Sequence, residues 1–290
     1  MISILITGAK GQLGNEIKKI LPDFPGMSFL FTDVDELDIT NAAAVKDYLN
    51  ANQVQYLVNC AAYTAVDKAE DDSELAGKIN ASAVEILATE TKRRNIQLIH
   101  ISTDYIFDGE KNHPYREDDP VNPCTVYGQS KLAGETAIRK SGNGIIIRTS
   151  WLYSEFGNNF VKTILRLSRD NKPLKVVFDQ TGCPTYARDL AIAILEMIRN
   201  DHGKGQKSIY NVYHYSNTGI CSWYEFAESI LKLSGSVCRV EPVESKDFPT
   251  RAARPRYSVL DKSKLLGDYP LSIPHWKDSL EDCLKELKNK

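Results

Sequence analysis

Residues 4–17 read ILITGAKGQLGNEI. A short apolar run passes into Gly8, Gly11 and Gly14, set at three-residue intervals, and then into an amphipathic segment. Glycine suits a junction where the chain turns tightly and a pyrophosphate comes close to the backbone. The helix beyond it offers free N–H groups and the positive end of its dipole to that phosphate. A purely structural turn also uses glycine. Placement directly after a strand near the N-terminus is what favours a dinucleotide cofactor.

Outward from this loop, apolar runs alternate with amphipathic segments. The pattern predicts strands at 2–7, 28–33, 54–62, 96–102 and 144–150, separated by helices at 14–21, 41–52, 76–94 and about 125–140. Thr40 or Asn41 is available to cap the second helix. The strands are apolar throughout, as expected of a parallel sheet covered on both faces. The predicted class is therefore α/β, with a Rossmann-like, doubly wound parallel sheet. Such a sheet gathers its strand C-termini along one edge, where ligands bind. Beyond residue 150 the texture changes, and GNNFVKTILRLSRD and CSWYEFAESILKLSG read as helices between Pro- and Tyr-rich connections. The expected division is a cofactor-binding domain at 1–150 and mainly a smaller, partly interleaved substrate lobe at 151–290, with segments near 174–215 returning to the sheet.

Candidate chemistry clusters at the predicted strand ends. Asp33 closes the second strand, where a carboxylate would bind the adenosine ribose and favour NADH over NADPH. The other reading is that Asp33, Asp35 and Asp38 only cap or solvate a loop. Asp38 and Ile39 lie near the expected adenine position, and Ala61 and Ala62 are small enough for a nucleotide to pack on the backbone. In PCTVYGQSKLAGE, Tyr127 and Lys131 are four apart and share a helix face. Thr103 lies 24 residues upstream of Tyr127, at the end of the fourth strand. This trio suits carbonyl reduction: the hydroxyl holds the substrate oxygen, the phenol gives a proton, and the ammonium lowers the phenol pKa. Tyr105 is expected to pack beside the site, Tyr127 to react. Asp104 and Trp151 are expected to touch substrate, and Asn80 to shape the site. The cluster Arg251, Arg254 and Arg256 reads, arginine by arginine, as a solvated charge run and, as a group, as a wall of the substrate cleft, with Arg254 the candidate for a substrate diphosphate. Asp179 and Gln180 read as fixing a loop.

Totals bound the alternatives. The 290 residues carry 36 basic and 38 acidic side chains, a net charge of −2, without a long basic run. That argues against a nucleic-acid or membrane-surface binder. Six scattered cysteines without a C-x-x-C pair, and five dispersed histidines, argue against a disulfide framework or a metal site. No stretch approaches the ~20 apolar residues of a membrane span. A cytoplasmic protein is expected.

The motifs GAKGQLG, VNCAAYTAVDKAE, STDYIFDG, NPCTVYGQSKLAGE, IIIRTSWLY, GNNFVKTILRL, DQTGCPT and ARPRYSVLD, spread over residues 8–261, resemble the extended short-chain dehydrogenase/reductase family. Within it they are most similar to the dTDP-4-dehydrorhamnose reductases. The resemblance implies reduction of the C4 keto group of dTDP-4-dehydrorhamnose to dTDP-L-rhamnose, with NADPH or NADH, by a monomer or homodimer. It implies that Gly11, Gln12 and Leu13 meet the cofactor pyrophosphate, beside the Gly8 of the glycine loop, that Asp33, Asp38 and Ile39 meet the adenosine, and that Ala61, Ala62 and Tyr63 meet the middle of the nucleotide. Tyr127 would donate the proton, Lys131 would hold the nicotinamide ribose, and Thr103, Asp104 and Trp151 would contact the sugar. Some members of the family dimerise through a magnesium ion held by glutamates. Glu16 matches one such ligand, but Arg188 stands where another acid is expected. Two alternatives stay open: a reductase of another nucleotide-linked 4-keto-deoxysugar, and a non-catalytic subunit resembling the regulatory subunit of methionine adenosyltransferase.

Overall fold

The computed structural model describes residues 1–170, 172–205 and 210–289. In chain order the first elements are β1 (Ile2–Thr7), α1 (Gln12–Lys19), β2 (Met27–Thr32), α2 (Ala42–Ala51) and β3 (Tyr56–Asn59). They are followed by α3 (Ala83–Arg93), β4 (Gln97–Thr103), α4 (Val126–Ser141), β5 (Gly144–Thr149), α5 (Ala187–Gly203) and β6 (Tyr210–His214). The six strands form one parallel sheet in the order β6-β5-β4-β3-β1-β2.

The register explains the unbroken apolar runs. Ile6, Val58, Ile99 and Ile145 stand in one row across the sheet, and Leu5, Leu57 and Leu98 in the next. The first row packs under Ile17 of α1 and Leu190, Ile194 and Ile198 of α5. The second packs under Val45 and Leu49 of α2, Val84 and Leu87 of α3, and Ile138 of α4. Both strand faces are thus covered, and each fully buried side chain of this size stabilises by about 1.5–3 kcal/mol. Polar residues gather at the strand C-termini, where Thr7 pairs with Thr32 and Asn59, and Thr103 with Thr149.

Local signals set the helix positions. Asn41 caps α2 by accepting from the N–H groups of Ala43 and Ala44. Thr125 caps α4 through Gly128 N–H, and the helix ends at Gly142 in the left-handed region, φ 67°. The helix expected over 76–94 is interrupted: a π-helical turn at Lys78–Ser82 separates α3 from a short helix at Ser73–Gly77. The Asn80 side chain explains the interruption. It accepts from Tyr63 N–H (2.9 Å) and donates to Tyr63 O (3.0 Å) and to Ser130 Oγ (3.0 Å). One turn of backbone is drawn out of register to reach both partners.

The rest of the chain builds a second apolar cluster from Tyr153, Val161, Ile164, Tyr186, Phe226, Ile230, Trp276 and Leu280. Three two-stranded sheets frame it, one of which pairs Leu152–Tyr153 with Thr185–Tyr186. Asp179 and Gln180 both bind Ser245, tying two of its loops together. Among the described residues no helix is long and apolar enough to cross a membrane.

Candidate active site

Two adjoining clefts open along the C-terminal edge of the sheet. The first, about 390 Å³, is lined by Gly8, Gly11, Asp33, Asp38, Ile39, Ala61 and Ala62, with Lys10, Val34 and Cys60 among them. The second, about 550 Å³, is lined by Gly11, Gln12, Leu13, Thr103, Asp104, Tyr127, Lys131 and Trp151. They share Gly11, Cys60 and Ala62, so together they make one trough running from the glycine loop to Tyr127 and Trp151.

The glycine loop is built for close approach. Gly8 has φ 67°, and a Cβ there would sit 2.6 Å from Ala61 N. Gly14 faces Ala9 so closely that a Cβ would lie 2.6 Å from its Cα, which lets α1 start directly under β1. No side chain caps the N-terminus of α1 at Gly11, so its first N–H groups remain available to an anion. This fits a bound pyrophosphate. Asp33 is engaged by its own loop: Oδ2 accepts from Lys10 N–H (2.8 Å) and Oδ1 from Val34 N–H (2.9 Å). That engagement supports the loop-fixing reading of Asp33 and weakens its expected preference for NADH.

The reacting end forms where β4 stops. Thr103 caps a short 3₁₀ turn, accepting from Tyr105 N–H (3.2 Å) and donating to Asp104 Oδ1 (3.0 Å). Burial pushes the Asp104 carboxyl up to about 6. Ser102 Oγ, which borders the same cleft, is buried without a hydrogen-bond partner, a free group for a polar ligand. Tyr127 enters from the first turn of α4, buried and edge-on to Tyr105, with ring centroids 5.6 Å apart. Tyr105 itself is braced by Arg254, whose Nη1 donates to its hydroxyl (3.0 Å).

One expectation about this trio changes. Burial holds the Tyr127 phenol well above the ordinary tyrosine value, Thr103 offsets this in part, and Lys131 is not among the offsetting groups. Lys131 is instead buried with its Nζ donating to Ile101 O (2.6 Å), and burial pushes its ammonium down to about 8. The geometry therefore keeps Tyr127 protonated, the form a donor needs.

Trp151 floors the cleft beyond Tyr127. It adopts φ 48° and stacks flat on Trp223 with centroids 3.5 Å apart and planes 9° apart. Gly182 makes room for it, since a Cβ there would lie 2.6 Å from Trp151 Cε2.

The magnesium position does not fit a metal. Glu16 accepts from Ser154 Oγ (2.7 Å), and Glu155 lies beside it. Lys19 pairs with Glu155 (2.5 Å) and Glu286 (2.6 Å), and Arg188 approaches Glu286 at 3.8 Å. Burial and Glu155 raise the Glu16 carboxyl, so it holds a proton, and two cations already stand among these acids.

The sequence profile of the family described as "RmlD substrate binding domain" matches residues 2–289. A dTDP-4-dehydrorhamnose reductase of Aggregatibacter actinomycetemcomitans is 39% identical over 97% of this chain and 98% of its own length. The chain belongs to the dTDP-4-dehydrorhamnose reductase family. Among solved members, the Clostridium acetobutylicum reductase superposes with a TM-score of 0.92 at 42% identity, covering 99% of this chain and 100% of that one. The Bacillus anthracis reductase, solved in complex with NADP, gives 0.91 at 39% identity over 99% and 100%.

Within this family frame, two expected site residues fall outside the trough. Tyr63 does not line either cleft; its side chain packs against the cluster of Ala69, Ala76 and Tyr127. Arg254 is also outside, bound to Asp67 and to the Tyr105 hydroxyl, so it braces a wall instead of facing the cleft. Arg251 pairs with Asp71 on the surface. The sequence reading also missed lining residues, among them Thr64, Val66, Ser150 and Asn158. Ser150, directly after β5 in RTS, carried the same strand-end signal as Thr103.

Proposed function

We propose that this chain reduces the C4 keto group of dTDP-4-dehydrorhamnose to dTDP-L-rhamnose, using NADPH or NADH. Tyr127 carries the proposal: it is a buried phenol kept protonated beside the Thr103 hydroxyl, at the end of a trough that begins at the glycine loop. The bound reduced nicotinamide supplies the hydride. In this reading Gly11, Gln12 and Leu13 turn N–H groups to the pyrophosphate, while Asp38, Ile39, Ala61 and Ala62 hold the adenosine half. With substrate bound, the single Thr103 hydroxyl hydrogen turns from Asp104 to the keto oxygen and fixes it against Tyr127, which passes its proton to that oxygen as charge builds there. Lys131 binds the ribose next to the reacting carbon. Asp104 and Ser102 meet sugar hydroxyls, and Trp151 offers its face to the deoxysugar. Residues 1–150 carry the cofactor and 151–290 mainly the sugar, with both soluble nucleotides met in the cytoplasm.

The test is the change in nicotinamide absorbance with freshly made dTDP-4-dehydrorhamnose, run separately with NADH and NADPH, with the sugar product identified by NMR. Oxidation of the reductant with dTDP-L-rhamnose appearing is the expected result. A protein that binds either cofactor yet leaves this sugar unchanged would exclude the reading.

A further inference from the structure

Behind the trough lies a buried chain of polar groups that ends on Lys131 and whose other members have no part in the proposed reaction. Thr7, at the end of β1, donates from Oγ1 to Asn59 Oδ1 (2.7 Å), and Ala61 N–H donates to the same oxygen (3.2 Å). Asn59 Nδ2 faces His100 Nδ1 at 3.0 Å, and His100 Nε2 faces Lys131 Nζ at 3.4 Å. Thr7, Asn59, His100 and Lys131 are all at most 2% exposed. The chain therefore runs without a water-facing break from the start of the cofactor loop to Lys131.

The direction of each hydrogen bond follows from one fixed donor. A backbone N–H cannot accept, so the Asn59 atom facing Ala61 is its oxygen. The Asn59 NH₂ must then face His100, whose Nδ1 accepts and carries no hydrogen. Burial and the nearby Lys131 hold the imidazole neutral, since its pKa lies well below the ordinary histidine value. A neutral ring with a bare Nδ1 carries its hydrogen on Nε2. That N–H points at Lys131. It meets an amine favourably, as a donor to a lone pair, and an ammonium unfavourably, as one donor against another.

We propose that His100 is a positioning residue for the reaction: Asn59 locks it as the Nε2–H tautomer, and the N–H it presents loosens the hold of Lys131 on its proton. The groups facing Lys131 are few. His100 lies on the strand side together with Ile101 O, which accepts from Nζ at 2.6 Å; that carbonyl and Glu135, one turn along α4, pull the other way, and Glu135 is itself paired with Arg148 (2.8 Å). Burial acts in the same direction as His100, and the ammonium is accordingly pushed down to about 8. The charge that grips the ribose is thus lost just above neutrality, at a position that burial sets and that the Nε2–H of His100, wired to the cofactor loop, shifts further down.

The inference rests on the reading of Lys131 as a cofactor-binding group, so the first test needs no turnover. In ¹⁵N-histidine-labelled full-length protein, ring ¹⁵N–¹H correlations at neutral pH should show His100 with a hydrogen on Nε2 and a bare Nδ1. The resonance is assigned by its loss in His100→Asn. A hydrogen on Nδ1 overturns the proposal. The second test is NADPH binding against pH, which stands even if the sugar is misassigned. Affinity should fall on an alkaline limb in the wild type, and Lys131→Arg should abolish that limb because arginine does not titrate there. In His100→Gln the amide can turn an oxygen to Lys131, and the limb should move up by about one pH unit. A limb that persists in Lys131→Arg, or that stays in place in His100→Gln while affinity falls evenly at every pH, would show a merely structural role and overturn the proposal.

Discussion

Tyr127→Phe separates the proposed donor from its nearest rival. The substitution removes one hydroxyl and keeps the ring, which stays packed against Tyr105 and the buried Ala69 and Ala76. The stability cost is that of one hydrogen bond, about 1 kcal/mol. The loss of a positioned acid lowers kcat by roughly 10²–10⁴-fold, or about 3–5.5 kcal/mol of barrier. The rival is Asp104, whose carboxyl lies next to Thr103 and is raised to about 6. At pH 7 roughly a tenth of Asp104 is protonated, and each further pH unit removes another factor of about ten. Tyr127, held above the ordinary tyrosine value, remains fully protonated over the same range. With Tyr127 as donor, the single-turnover rate at saturating cofactor stays level between the Asp104 value of about 6 and the Lys131 value of about 8. With Asp104 as donor it falls about fiftyfold across those two units. The assay is stopped-flow nicotinamide absorbance on wild type and Tyr127→Phe. A falling wild-type profile, or a Tyr127→Phe variant within a few-fold of wild type, refutes the argument.

Other substitutions probe the surrounding structure. Gly182→Ala sets a Cβ 2.6 Å from Trp151 and should cost about 1–3 kcal/mol, with a raised substrate KM and an unchanged NADPH Kd; an unchanged KM removes Trp151 from the sugar floor. Glu135→Gln strands the Arg148 guanidinium, 1% exposed, and should cost about 3–5 kcal/mol in urea unfolding. Pairing it with Arg148→Met should recover most of that loss, and a double variant no more stable than the single one would contradict the account. Glu16 is raised by burial and by Glu155, so the fold binds a proton that the unfolded chain has already released. More protons in the folded state means that stability falls as pH rises from the ordinary carboxylate range, about 4.3, toward the raised value. In Glu16→Gln the urea midpoint should lose that downward slope, and an unchanged slope would assign it to another group.

The fold was legible because its covered sheet leaves a plain trace: rows such as Ile6, Val58, Ile99 and Ile145 bury one face while Leu5, Leu57 and Leu98 bury the other. The four-residue spacing of Tyr127 and Lys131 brought both to one cleft, since Thr125 caps the helix just before them. What could not be read depended on partners remote in sequence. Arg254 turns from the trough because Asp67, 187 positions away, is there to bind it. Nothing local announces the π turn around Asn80, which Tyr63 and Ser130 impose. The hydrogen on His100 follows only from strand register, which seats Asn59 beside it. Trp151 read as a strand-end aromatic, yet its positive φ and its stack on Trp223 come from the lobe built later in the chain.

The return of β6 to the edge of the sheet beside β5 has a practical consequence for recombining these proteins. The segment that carries Trp151 and the segment that carries Trp223 are separated in the chain by α5, which packs under β1, and by β6. No single crossover point can therefore exchange one sugar-facing half for another. A chimera that keeps its parent's sheet must import two insertions, one ahead of α5 and one after β6, and both must come from the same donor so that Trp151 and Trp223 still match. For such a protein, recognition of a new sugar arrives by paired replacement or not at all.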